Sequence, residues 1–206
     1  MGASPDSSQQ APRHVALVDA SGTAPTSTLL ADAVEALPVY AWLAKTEEPE
    51  IVTVRSGEDL ADCDTVLLAL ELGAAAPRVE ELPLSHASTG ARVYALLCAD
   101  DDPGVATHAL AALEERCGER GLAWRGGLVV GDAGLLPSMA RRPRMGWARR
   151  AVSEAVDRLI AAMRSGSAAG FDGVCQGVPR QAYRRAAEKC WRDLARANGV
   201  DLDARP

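Results

Sequence analysis

The sequence predicts a three-layer α/β/α domain built on a parallel sheet. Three observations carry that expectation. The runs 14–19, 51–54, 65–70, 93–98 and 128–130 are short and mostly apolar, as strands buried on both faces are. Stretches of helical periodicity alternate with them, and repeated strand–helix–strand order marks a parallel sheet with crossover helices. The 206 residues, 48% hydrophobic, suffice for one sizeable core and are short for two.

The elements follow in order. Residues 1–13, polar and rich in Ser, Gln and Pro, read as a disordered lead-in. After the first strand, residues 21–26 form a small-residue turn, and Thr26 or Ser27 caps a helix with Leu29, Leu30, Ala33, Val34 and Leu37 on one side. Pro38 is expected to stop it, and 39–45 fits neither state. Residues 58–63 suit a short helix or turn, and 74–82 a helix. Residues 105–120 are strongly amphipathic, with Gly121 just past the end. A long helix is expected over 147–163, then a Gly/Ser/Ala linker, then a helix over 179–198 with Pro179 near its start and Gly199 after it. The expected division is a lead-in over 1–13, a domain over 14–165, and 166–206 as linker and C-terminal helix, packed on the domain or on a partner subunit.

Composition excludes several function classes. The formal net charge of −6 and a pI near 5.1 argue against nucleic acid as a partner. The Arg-rich stretch Arg141, Arg142, Arg144, Arg149, Arg150 is the local exception and reads as a solvated loop and helix face. Five cysteines without a C-x-x-C suggest neither a disulfide framework nor a zinc site, and Cys98, in an apolar run, reads as a buried small hydrophobe. No signal-like opening or long apolar run appears, so the expectation is a soluble protein in the reducing cytoplasm, without a membrane partner. His14, His86 and His108 are scattered, and no G-x-S-x-G occurs, so no acid, base or nucleophile is assigned. Asp100, Asp101 and Asp102 read as a solvated turn. Trp124 and Trp147 flank the loop after the fifth strand and suit packing, or the wall of a flat ligand's site.

The most informative segment is Asp19-Ala20-Ser21-Gly22-Thr23-Ala24-Pro25-Thr26-Ser27-Thr28, directly after the first strand. Hydroxyls and backbone N–H groups at a helix start make an anion site, and the alternative is a Ser/Thr turn plus a helix cap. No glycine is followed by lysine here, and G-x-G-x-x-G is missing, so neither common nucleotide loop is present. A phosphate monoester held by neutral donors is the ligand this loop suits, with Ser21, Thr23, Thr26, Ser27 and Thr28 as candidate binding residues.

Ser21 and Thr28 keep the spacing of the phosphate loop of the flavodoxin-like NAD(P)H-dependent FMN oxidoreductases, which this loop resembles. The stretch from Gly121 to Gly131 is similar to that family's fifth-strand region, and Val178-Pro179-Arg180 through Trp191 with Ala197-Asn198-Gly199 to its C-terminal helix. The resemblance implies a five-stranded parallel sheet in the order 2-1-3-4-5 and FMN as cofactor, with NAD(P)H as co-substrate and a small-molecule electron acceptor. It also implies a possible homodimer, anchored by Tyr183 and Trp191, and places Gly73, Ala74 and Asp132 beside the flavin ring. Departures accompany it. Where the family has Pro-x-Tyr, this chain reads Glu71-Leu72-Gly73-Ala74-Ala75-Ala76-Pro77, with no aromatic to stack on a flavin. Two readings follow: an FMN-dependent oxidoreductase, or a flavodoxin-like domain that has lost FMN and serves as a non-catalytic binding or assembly module.

Overall fold

The computed structural model describes residues 11–54, 60–73, 82–100, 103–175 and 180–200. Most of the expected lead-in, Glu58, all but the last residue of the helix expected over 74–82, Asp101 and Asp102 lie outside them. The elements in chain order are β1 His14–Asp19, α1 Ala24–Leu43, β2 Glu50–Val54, β3 Thr65–Glu71, β4 Arg92–Cys98, α2 Thr107–Glu119, β5 Ala123–Gly131, α3 Leu136–Met139, α4 Arg150–Ser165, β6 Gly170–Cys175 and α5 Arg180–Ala197. Short 3-10 turns precede β4, α2 and α3.

The six strands form one sheet in the order β2-β1-β3-β4-β5-β6, every neighbouring pair parallel. Its first five strands keep the 2-1-3-4-5 order of the flavodoxin-like doubly wound fold. The apolar runs follow from burial on both faces. Val15 and Leu17 of β1, with Leu67, Tyr94, Leu96, Leu128 and Val130, face α1, α3 and α4. Ala16 and Val18, with Val66, Leu68, Val93, Leu97 and Val129, face α2 and the loops on the other side. Successive residues alternate between the layers, so neither face spares a polar position.

Two expectations need correction. The sheet has six strands, not five, because residues 170–175, inside the stretch read as linker and just beyond it, pair with β5. Glycines make the pairing possible. Gly126 has φ +96°, and a Cβ there would collide with the Gly170 backbone. A Cβ on Gly127 would come within 2.8 Å of the Ala95 carbonyl on the opposite neighbour. Two successive glycines thus let β5 run close between β4 and β6.

The second correction concerns α1. It starts earlier than expected, with Thr23 at the cap and Pro25 in the first turn, and runs through Pro38 to Leu43. A proline inside a helix removes one hydrogen bond and costs about 3 kcal/mol. Continuing the helix keeps Leu37 and Ala41 buried against the sheet layer. The Arg164 guanidinium also donates to the Tyr40 carbonyl in that last stretch. Packing and this bond offset the local penalty.

The chain divides into two compact units, Met1–Gln176 and Gly177–Pro206. The sheet belongs to the first. In the second, α5 carries its own ion pairs, among them Lys189–Asp193 at 3.8 Å and Arg196–Asp193 at 3.4 Å, and exposes Trp191 and Leu194. No described helix is long and apolar enough to cross a membrane.

Gly126→Ala should lower stability by about 2–4 kcal/mol, from overpacking against β6 together with left-handed strain. Urea unfolding gives the loss, and hydrogen exchange should show the amides of 170–175 losing protection first. An unchanged urea midpoint would contradict the close approach.

Candidate functional site

In an open α/β sheet, ligands bind beyond the carboxyl ends of the strands, where the strand order reverses. Here that place lies between β1 and β3, and the loop from Asp19 into α1 lines it. The loop is occupied by its own chain. Asp19, the last residue of β1, accepts the Gly22 N–H at 2.8 Å, the Thr26 hydroxyl at 2.7 Å and the Ser27 hydroxyl at 2.9 Å. Thr23 donates its N–H to Thr26 Oγ1 at 3.1 Å. Thr28 turns its hydroxyl back onto the Ala24 carbonyl at 2.7 Å. Ser21 accepts the Glu71 N–H at 2.8 Å, tying the β1 loop to the end of β3.

The expected binding residues Ser21, Thr23, Thr26, Ser27 and Thr28 are therefore brought together, but not as free donors. A hydroxyl has one proton to give. Thr28 gives its proton to a carbonyl and Ser27 to Asp19, as does Thr26 in its shortest bond. Of the backbone donors over 23–28, Thr23 is engaged, Pro25 has none, and Ser27 bonds the Thr23 carbonyl at 3.0 Å. A dianionic phosphate against this helix start would meet the Asp19 carboxylate in the position an anion takes. The residues present do not fit the phosphate of FMN.

The remaining expected residues lie apart. Gly73 follows β3, where Leu72 donates its N–H to the Cys98 carbonyl, and Ala74 lies outside the described residues. Asp132 follows β5 in a left-handed conformation, φ +52°, and the next residue, Ala133, bonds the Ala99 carbonyl. The strand ends around them are acidic. Burial, helped by Glu71, Asp19 and Asp100, pushes the Cys98 thiol up to about 12, so it packs as an inert apolar group. Trp124 packs on the α2 face, whereas Trp147 is 84% exposed.

A second recess lies beside the first turns of α1. Its volume is about 530 Å³, and Ser27, Thr28, Asp32 and Glu35 of α1 face Arg141, Arg142, Arg144 and Arg149 across it. Here the Arg-rich stretch departs from a solvated face. Arg149 is only 3% exposed and pairs with Asp32, itself 5% exposed, at 2.5 Å. Its other terminal nitrogen donates to the Ala140 and Arg142 carbonyls at 3.1 and 3.3 Å. Arg144 bonds Asp157 of α4 at 2.8 Å and lies 3.7 Å from Asp32. Burial raises the Asp32 carboxyl above its ordinary value, and the arginines only partly pull it back. The sequence held a signal for this network. Asp32 and Asp157 sit within the apolar stripes of α1 and α4, and a carboxylate in such a stripe requires a cation.

No protein-family profile matches the chain, and no curated protein matches it. Among solved structures it is similar to oxidised flavodoxin 2 from Bacillus cereus, at 17% identity over 62% of this chain and 94% of that one, with a TM-score of 0.42. It is also similar to the Trp repressor binding protein from Bacillus subtilis, at 11% identity over 63% and 99%, with a TM-score of 0.39.

Arg149→Met tests the network. Removing one partner of a buried pair should cost about 3 kcal/mol at neutral pH. The Asp32 pKa is raised in the folded state, so the stability it contributes is present below its unfolded value and lost as pH rises through the folded one. Without Arg149 that pKa rises further. The gap between parent and variant should therefore narrow on acidification, when Asp32 takes up a proton. Urea midpoints at about pH 7 and about pH 4 measure it. A gap that does not change with pH would contradict a charged Asp32 as its source.

Proposed function

We propose that this chain is a flavodoxin-like domain that does not use FMN and acts as a non-catalytic binding module. The observation that carries the reading is the Asp19 carboxylate, which takes the Gly22 N–H and the Thr26 and Ser27 hydroxyls that a phosphate would need. The Ser21–Glu71 bond across the β1–β3 crevice and the lack of an aromatic over 71–82 point the same way. A second reading, an FMN-dependent NAD(P)H oxidoreductase serving a small-molecule electron acceptor, draws its support from the strand order, which places the β1 loop at the switch point.

Titration of the purified chain with FMN and with riboflavin, followed by flavin fluorescence, separates the two. Neither flavin should saturate the protein below roughly 100 μM, an affinity too weak for a resident cofactor. Asp19→Asn removes the charge and keeps the shape, so it should raise affinity for FMN and leave riboflavin unchanged. A yellow preparation that binds FMN tightly, much better than riboflavin, would overturn the module reading and restore the oxidoreductase.

A further inference from the structure

The recess between α1 and residues 140–149 is built unlike the strand-end crevice. Two of its arginines are spoken for: Arg149 by Asp32 and two carbonyls, Arg144 by Asp157. These bonds hold the backbone of 140–149 against α1 and α4. Arg141 and Arg142, carried on that braced segment, are exposed and have no carboxylate within 4.0 Å among the described residues. Four guanidinium groups line the recess; Asp32 and Asp157 neutralise Arg149 and Arg144, which leaves Arg141 and Arg142 facing the single carboxylate of Glu35 in a chain of net charge −6.

We propose that this recess binds a small phosphorylated molecule, with its phosphoryl oxygens held by the guanidinium groups of Arg141 and Arg142. Guanidinium forks match phosphate oxygens bidentately, and two such forks without a carboxylate partner among the described residues suit a phosphate monoester. The volume of about 530 Å³ falls in the range of small-molecule sites and leaves space for an organic part beside the phosphate. Ala31, Ala140 and Pro143 offer that part an apolar wall, and Glu35 accepts from a hydroxyl or an ammonium on it. A long polyanion fits less well, since Glu35 stands at the recess and the chain as a whole is acidic. The recess adjoins the crevice at Ser27, but its arginines stand on 140–149, so the inference stands whether or not FMN binds at Asp19.

The test uses the full chain, labelled with nitrogen-15, and inorganic phosphate as the probe. Ionic strength is held constant with chloride. Phosphate should give saturable amide shifts concentrated in 140–150 and 27–35. Arg141→Gln with Arg142→Gln touches neither Asp32 nor Asp157, and should weaken binding by about tenfold to a hundredfold. Arg184→Gln with Arg185→Gln, the same charge change on the exposed face of α5, should leave it unaltered. Shifts that do not saturate, that centre on 20–26, or that respond equally to both pairs would overturn the proposal. Tight FMN binding in the separate flavin titration would refute the module reading and leave these outcomes untouched.

Discussion

A buried carboxylate organises one side of this molecule. Asp32 lies on the face of α1 that packs inward, between Leu29, Ala33 and Ala36, where an unpaired charge would cost several kcal/mol. The chain meets the demand from a distance of 117 residues, by folding 140–149 back so that Arg149 reaches it. Arg149 in turn holds two carbonyls of that segment, and Arg144 links it to Asp157 on α4. The path from α3 to α4 follows from the need to neutralise one side chain. The basic recess is a consequence: a segment rich in arginine is braced by two of them and presents two others.

The carboxyl ends of the strands obey the opposite logic. The doubly wound order creates a crevice between β1 and β3, and a helix start beside it attracts negative charge. That attraction is already satisfied from within. Asp19 occupies the helix start, and Ser21 joins the two strand ends through Glu71. The fold supplies a location, and the side chains decide whether a ligand can use it.

The parts of this structure legible in the sequence are those where burial alone dictates residue type. β1, β3 and β4 are covered on both faces, so their runs are apolar and unmistakable. β6 was not legible, because its pairing depends on backbone approach at Gly126, Gly127 and Gly170 rather than on apolar side chains, and small residues read as linker. The extension of α1 past Pro38 escaped for a related reason: a local rule predicts a stop, and the packing of Leu37 and Ala41 and the Arg164 bond to the Tyr40 carbonyl, both long-range, offset it. In the β1 loop the sequence displays the donors, and the acceptor that takes them is the strand's own last residue. Asp19 stands two residues before Ser21, and a carboxylate there competes for the same hydroxyls. The arginines at 141–150 look like a solvated run by composition; what buries Arg149 is Asp32, over a hundred residues earlier in the chain.

Ser27 brings these two halves into contact. Its hydroxyl bonds Asp19 on the crevice side, and the same residue lines the basic recess on the other. The first turn of α1 thus borders a carboxylate, Asp19, and a recess lined by arginines. Asp19, Glu71 and Asp100 gather negative charge at the strand ends, whereas Arg141 and Arg142 stand at the recess, and the proposed anion site falls on the side where the arginines are.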